Sequence, residues 1–372
     1  MEILIISNYP TPSSPNANIF VYKLVQEMVD LGNNITLVSP KKITIKNIFR
    51  KGPFQDKAKV YQPFFISCSN KQIGTFNTYR FTHNFYVNAI KRVLKKKEID
   101  YDIVYCHFLD SGFISADALK ITSKPLIIAF GDSEVNYKNT LSLYSHEALK
   151  ELLKMVSGYI SVSNENVKIL LSHNVNPENI LLAPNGVDTT VFYPRDKLAM
   201  RKKYNISQNK KIIIYVGGFT ESKGYDRVLE AIEDLEGVYG IFLGKGNIKV
   251  KYSKVLFKGC VKHFQLAEML SCCEIFVLPT QDEGSCNAIV EAMSCGLPIV
   301  SSNIPAVKEQ CNSSFSILVN PNNIEEIKAA ISSIIYDSDK LQLMSKNAIL
   351  HSKKYNLKDR AIKISSFLEK FI

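Results

Sequence analysis

A strand-then-helix alternation runs the length of this chain and restarts half way along it. Apolar runs of strand length are expected at 3–7, 35–39, 103–106, 126–130, 159–162 and 180–183. An amphipathic stretch, 20–31, follows the first of them and is ended by Gly32. A turn-rich segment begins at Asn185-Gly186-Val187-Asp188 and runs to Pro194. The pattern then resumes, with strands expected at 211–218, 238–243, 255–257, 275–278 and 299–301. Such alternation predicts an α/β fold of two doubly wound, Rossmann-like domains facing across a cleft. The expected division is 1–190 and 191–357, with a last helix at 358–372 packing back on the first domain. Ligands of such sheets lie outside the carboxyl ends of the strands, so residues just past strand ends are the site candidates.

At 372 residues, 46% of them hydrophobic and 22% charged, the chain can bury two cores. The first eight residues, Met1 to Asn8, are too short and too acidic for a secretory signal and read as a buried strand. No apolar run approaches the roughly 20 residues of a membrane span. The eight cysteines are scattered and form no CxxC pair, as expected of reduced thiols in a cytoplasmic protein without disulfides or a zinc site. The net charge of +11 calls for anionic partners. From Lys41 to Lys59 there are seven Lys or Arg residues and one acid, Asp56. The run 76–97 places Phe76, Tyr79, Phe81, Phe85 and Tyr86 ahead of Lys91, Arg92, Lys95, Lys96 and Lys97. That order suits a peripheral helix on an anionic membrane and equally a core-facing helix with a solvated basic end.

The segment Glu283-Gly284-Ser285-Cys286-Asn287-Ala288-Ile289-Val290-Glu291 carries two carboxylates eight residues apart. Glu283 follows the strand 275–278, and Glu291 lies about two turns into a helix marked by Ala288, Ile289, Ala292 and Met293. That spacing is roughly 12 Å along a helix axis. It can hold two parts of one long polar ligand, with a diphosphate on the free amides at the helix start. It also suits an ordinary βα unit with solvated glutamates. Upstream, Val216-Gly217-Gly218-Phe219-Thr220-Glu221-Ser222-Lys223-Gly224 breaks a strand into a loop whose glycines allow close approach and whose Lys223 suits phosphate. Leu243-Gly244-Lys245-Gly246 lacks the third glycine of a dinucleotide fingerprint. Asp100-Tyr101-Asp102 has the form of a metal-binding DxD, but it stands at the amino end of a strand. No histidine pair has ligand spacing, so no metal and no cofactor are expected. His107 and Asp132 follow the strands 103–106 and 126–130 and are site candidates; a buried, hydrogen-bonded histidine is the other reading of His107. Asn16 and Asn18 lie in the loop after the first strand and can face an acceptor.

Together these segments resemble the retaining glycosyltransferases of family 4, which have the GT-B fold. The family's Glu-x7-Glu signature matches Glu283 and Glu291, its GG-x4-KG element Gly217 to Gly224, and its NGVD Asn185 to Asp188; its F-x-G-x-V element matches Phe257, Gly259 and Val261. The resemblance implies that Glu291 binds the donor ribose and that Glu283 contacts the transferred sugar, beside the amides of Gly284, Ser285, Cys286 and Asn287. It implies that Gly217, Gly218 and Lys223 meet the diphosphate and that Gly259 and Val261 lie near the base. Three positions depart from the pattern. Gly218 stands where the family often has arginine, Phe130 where it often has histidine, and Asn16-Ala17-Asn18 where it has a Gly-Gly loop. The missing histidine passes its role to Asp132 or His107.

The expected activity is metal-independent transfer of a sugar from a nucleotide sugar to a glycan or lipid-linked acceptor. The resemblance points to bacterial surface polysaccharide assembly, such as capsule or lipopolysaccharide. The expected location is cytoplasmic, peripheral on the inner face of the cell membrane. A GT-B sugar-nucleotide epimerase and a non-catalytic basic protein binding membrane or polyanion are the rival readings. No nucleic-acid motif accompanies the charge.

Overall fold

The computed structural model describes residues 1–49, 55–68, 72–73, 76–77, 79–97, 99–119, 124–131, 133, 137–138, 140, 145–246 and 253–372. The chain forms two units, Met1–Ala183 with Lys358–Ile372, and Pro184–Leu357. The cut falls at Ala183/Pro184 rather than at 190/191. Val187 and Phe192 are already core residues of the second unit, and the Val187 amide donates to the Tyr355 carbonyl at 2.7 Å.

The first unit runs β1 (Glu2–Ser7), α1 (Ile19–Asp30), β2 (Asn34–Val38), β3 (Lys41–Lys42), α2 (Ile45–Phe49), β4 (Lys59–Tyr61), β5 (Phe64–Phe65), β6 (Gln72–Ile73), β7 (Phe76–Asn77) and α3 (Tyr79–Lys97). It continues through β8 (Ile103–His107), α4 (Leu109–Ala118), β9 (Leu126–Phe130), α5 (His146–Met155), β10 (Gly158–Ser161), α6 (Asn164–Ser172) and β11 (Ile180–Leu182). Seven strands form one parallel sheet in the order β11-β10-β9-β8-β1-β2-β4. Every residue of β8 and β9 is buried, as parallel strands covered on both faces must be, which is why they read as unbroken apolar runs.

The second unit contains α7 (Lys197–Lys203), β12 (Lys211–Val216), α8 (Tyr225–Glu233), β13 (Val238–Leu243), β14 (Val255–Gly259), α9 (His263–Leu270), β15 (Ile275–Leu278) and α10 (Asn287–Ser294). Then come β16 (Ile299–Ser302), α11 (Pro305–Gln310), β17 (Ser316–Val319), α12 (Ile324–Ile335) and α13 (Ser338–Ser352). Its six parallel strands lie in the order β14-β13-β12-β15-β16-β17. The last helix, α14 (Leu357–Glu369), belongs with the first unit. Gly158 makes room for it: a Cβ there would stand 2.7 Å from the Phe371 ring and 3.2 Å from the Phe367 ring.

Each sheet reverses its strand order once, between β1 and β8 in the first unit and between β12 and β15 in the second. Crevices for ligands open at such reversals, at the carboxyl ends of the flanking strands. All eight cysteines are free thiols. Among the described residues no helix is long and apolar enough to cross a membrane.

Candidate active site

The two loops that leave β12 and β15 at the second unit's reversal carry the lysine and the first glutamate. After β12 the chain passes Gly217 and Gly218, makes a short 3-10 turn, Glu221–Lys223, and enters α8 through Gly224. Gly224 has φ +73°, and a Cβ there would lie 2.6 Å from the Pro279 carbonyl, so no other residue fits without moving β15's exit loop. This tight crossing sets Lys223 beside the second loop. Its Nζ donates to Glu283 Oε1 at 2.6 Å, the Asp282 carbonyl at 2.8 Å and Thr280 Oγ1 at 3.3 Å. Both partners are sheltered, with side chains 30% and 15% exposed.

The glycine loop is shaped from below. Tyr215 donates its hydroxyl to the Gly218 carbonyl at 2.7 Å, and a Cβ on Gly217 would meet that hydroxyl at 2.9 Å. Gly244, in the turn after β13, stacks backbone to backbone on the same loop, its missing Cβ falling 1.7 Å from the Gly217 carbonyl. The Gly244-Lys245-Gly246 turn therefore buttresses the glycine loop. Gly218 itself opens outward, its nearest neighbour to a Cβ being Thr220 Cγ2 at 3.8 Å.

The loop from Glu283 into α10 is held by side-chain amides. Gln310, 3% exposed at the end of α11, accepts the Cys286 amide on Oε1 at 2.8 Å. Its Nε2 donates to Ser285 Oγ at 3.3 Å and the Cys286 carbonyl at 3.4 Å. Asn185 Nδ2 donates to the Ser285 carbonyl at 3.4 Å. One of the four amides expected to face a ligand, that of Cys286, is thus already taken. Two buried acceptors, Asn185 Oδ1 and Asn287 Oδ1, have no hydrogen-bond partner among the described residues. Burial pushes the Cys286 thiol well above its usual range, and the Glu283 charge adds to this, so it is no nucleophile.

Helix α10 begins at Asn287, so Glu291 sits about one turn in rather than two. Its Oε1 is 3.2 Å from His263 Nε2 on α9. The His263 ring meets Phe192 edge-on at 4.9 Å. Gly259 closes β14 with φ +140°, and its carbonyl accepts the Gly244 amide at 2.9 Å; Val261 follows, half-buried, just before α9.

In the first unit, His107 is the last residue of β8, not the residue after it, and is 4% exposed. Its Nδ1 is 2.9 Å from the Tyr105 hydroxyl, and Phe20 and Phe108 pack on its ring. Burial, and secondarily the Arg360 charge, holds its pKa well below the usual range, so the imidazole is neutral. This is the buried, hydrogen-bonded form of the two readings. Phe130 is fully buried against Tyr137. Asn16 is exposed, and Asn18 takes φ 57° to start α1. Asp132 lies outside the described residues. Asp102 accepts the Glu2 amide at 2.9 Å, which ties the start of β8 to β1 and gives the second aspartate of the DxD sequence a structural role. Among the described residues no cluster of three or more His, Cys, Asp or Glu is placed to hold a metal.

Sequence reasoning missed Gln310, His263 and Tyr215. Tyr215 was hidden as an apolar strand residue. The other two are polar residues on short helices, and nothing in their neighbourhoods marks them until the fold brings them to Cys286 and Glu291.

Two family models match in tandem. The Glycosyltransferase Family 4 model covers residues 17–191, and the Glycosyl transferases group 1 model covers 196–351. The chain is similar to TuaC of Bacillus subtilis (strain 168), a glycosyltransferase assigned to teichuronic acid biosynthesis, with 24% identity over 357 residues, 89% of this chain and 88% of TuaC. It is 26% identical over 283 residues to the UDP-Gal:alpha-D-GlcNAc-diphosphoundecaprenol alpha-1,3-galactosyltransferase of Escherichia coli, covering 70% of this chain and 72% of that one. Among solved structures, the sucrose-phosphate synthase from Thermosynechococcus elongatus superposes with a TM-score of 0.81 at 18% identity, over 100% of this chain and 98% of the other. With these two domains in sequence on two parallel-sheet units, the chain is a glycosyltransferase of the GT-B fold.

Proposed function

We propose that this glycosyltransferase is a retaining enzyme that moves a sugar from a nucleoside diphosphate sugar to a glycan or lipid-linked acceptor. Its proposed setting is surface polysaccharide synthesis at the cytoplasmic face of the membrane, without a metal cofactor. The observation that carries the reading is the Lys223–Glu283 pair at the β12/β15 reversal, with α10 starting beside it and Glu291 one turn further on. In the reaction, the bond between the anomeric carbon and the diphosphate oxygen breaks as the acceptor hydroxyl attacks. The nucleoside diphosphate leaves with the electron pair. Lys223 meets the growing phosphate charge, in a half-buried setting where a fixed cation counts for more than in water. Glu283 is then released from the lysine to hold sugar hydroxyls. The unpartnered Asn185 Oδ1 and Asn287 Oδ1 are ready to accept from further hydroxyls. Glu291 takes the ribose. On the first unit, Asn16 and Asn18 receive the acceptor. The neutral His107 sits behind that surface, and Asp132 is its remaining candidate for a proton acceptor.

TuaC and the diphosphoundecaprenol galactosyltransferase support the polysaccharide setting through their own assignments. The test is sugar transfer from a panel of nucleotide sugars to lipid-linked acceptors, with the product's anomeric configuration read by NMR. Transfer with retained configuration, undiminished by EDTA, is expected. Inverted product, or activity lost to EDTA and restored by a divalent cation, would overturn the corresponding part. Epimerised nucleotide sugar with no transfer would favour the rival epimerase reading.

A further inference from the structure

We infer that α2, the β3–β5 ribbon and α3 form one surface of the first unit that inserts into an anionic lipid bilayer. Helix α2 is built inside out. Its one uncharged polar residue, Asn47, is 2% exposed, and its apolar residues face water beside Lys46, with Ile45 78% and Phe49 81% exposed. Asn47 is buried because it fastens the helix: its Nδ2 donates to the Lys42 carbonyl at 2.9 Å, and its Oδ1 accepts the Ser13 amide at 3.0 Å. The exposed side chains are therefore fixed outward, not merely unpacked.

The apolar face continues beyond the helix. Ile43 is 52% exposed, and its amide donates to the Phe65 carbonyl at 3.2 Å; Ile66 is 51% exposed on the same ribbon. The ribbon joins α3 through the Phe65–Tyr86 contact at 5.1 Å and the Arg92 guanidinium on the Phe64 carbonyl at 3.4 Å. Phe81, 49% exposed, extends the face along α3. A connected apolar surface of this kind is unusual on a water-facing protein.

The charges around it select the occupant. The segments 41–49, 59–66 and 79–97 contain no Asp or Glu, and they carry Lys41, Lys42, Lys46, Lys59 and the basic end of α3. Lys41 already lies over the Phe64 ring at 4.9 Å. Apolar side chains rimmed by lysines match a bilayer of anionic headgroups over hydrocarbon. A second copy meeting the same face would set lysine against lysine. The inference deepens the proposed reaction by giving a lipid-linked acceptor's membrane a defined place to dock, yet it does not depend on that reaction.

The sequence contains no tryptophan, so Phe49→Trp in the full chain supplies a single reporter. It is titrated with vesicles of phosphatidylcholine alone or with phosphatidylglycerol added. We expect a blue-shifted emission with the anionic vesicles only, quenched by brominated acyl chains and reversed by salt. In the natural chain, Ile45→Ser and Phe49→Ser should each lower vesicle partitioning by about tenfold or more. Their donor affinity should not change, which separates this inference from the proposed reaction. Unshifted emission, or an equal shift with neutral vesicles, would overturn the inference. So would serine variants that bind as well as the natural chain, which would leave charge alone. A concentration-dependent dimer that the serine variants abolish, with no vesicle binding, would make the face a contact between copies.

Discussion

Replacing Gln310 with methionine keeps the length of the side chain and removes every hydrogen bond it makes. The amide of Cys286 then loses its 2.8 Å acceptor in a pocket where Cys286 is 4% exposed. A buried N–H left without a partner costs ~1–3 kcal/mol. The contacts to Ser285 Oγ and the Cys286 carbonyl are longer, at 3.3 and 3.4 Å, and together add about 1 kcal/mol at most. The expected total is about 1–4 kcal/mol. How it divides is informative. If the loop holds its place, the whole cost appears as lost stability of the second unit. If the loop shifts to bring Cys286 N–H to water, Glu283 shifts with it, and part appears as weaker donor binding, tenfold for each ~1.4 kcal/mol. Gln310→Glu should be no milder, because a carboxylate still accepts from Cys286 but is desolvated at this buried position and repelled by the Cys286 carbonyl. The assays are urea unfolding followed by circular dichroism, amide exchange across 284–292, and calorimetric titration with a donor nucleotide. A methionine variant equal to the natural chain in all three would show that this clamp does nothing.

Gly218→Arg should fold normally, since the site has open space for a Cβ, and should tighten nucleoside diphosphate binding by placing a cation beside Lys223; unchanged affinity in calorimetry would refute the placement. Gly244→Ala should lower the melting temperature and donor affinity together, because its methyl group would overlap the Gly217 carbonyl; a variant as stable as the natural chain would refute the close contact. His107 has a folded pKa depressed below its unfolded value of 6.5, so the unfolded chain binds more protons as pH falls. Its contribution is complete above that value and is lost as pH drops through it toward the depressed one. His107→Gln should flatten the fall in thermal stability as pH drops below 6.5; an unaltered slope would mean that the histidine titrates alike in the folded and unfolded chain.

The strands that sequence located best are β9 and β15, buried throughout with unbroken apolar runs, and β13, buried except at Tyr239. β17 escaped notice because Asn312, Ser313, Ser314 and Ser316 crowd its start, although Phe315 beside them is fully buried. β4, Lys59–Tyr61, has no buried residue to leave a pattern. At the site, Lys223 and Glu283 were legible because each follows a strand end, and position at a strand end is a property of local sequence. The actual start of α10 was not, and the Gln310 hold on the Cys286 amide just before it spans 24 residues of sequence. The same holds for His263 on Glu291, 28 residues apart. The inverted α2 went unread for a related reason. Basic residues showed in the sequence, but only the burial of Asn47 reveals which side of the helix faces out.

The proposed function requires the second unit to bind a nucleoside diphosphate sugar through Glu291 and Lys223. It is tested most directly by calorimetric titration of UDP-, GDP-, ADP- and TDP-sugars into the natural chain, Glu291→Ala and Lys223→Ala. At least one of them should bind the natural chain saturably and one to one. Each folded variant should lose ~1.5–3 kcal/mol of binding, the worth of a hydrogen bond to a charged group. No binding by any donor, or equal binding by the natural chain and both variants, would contradict it.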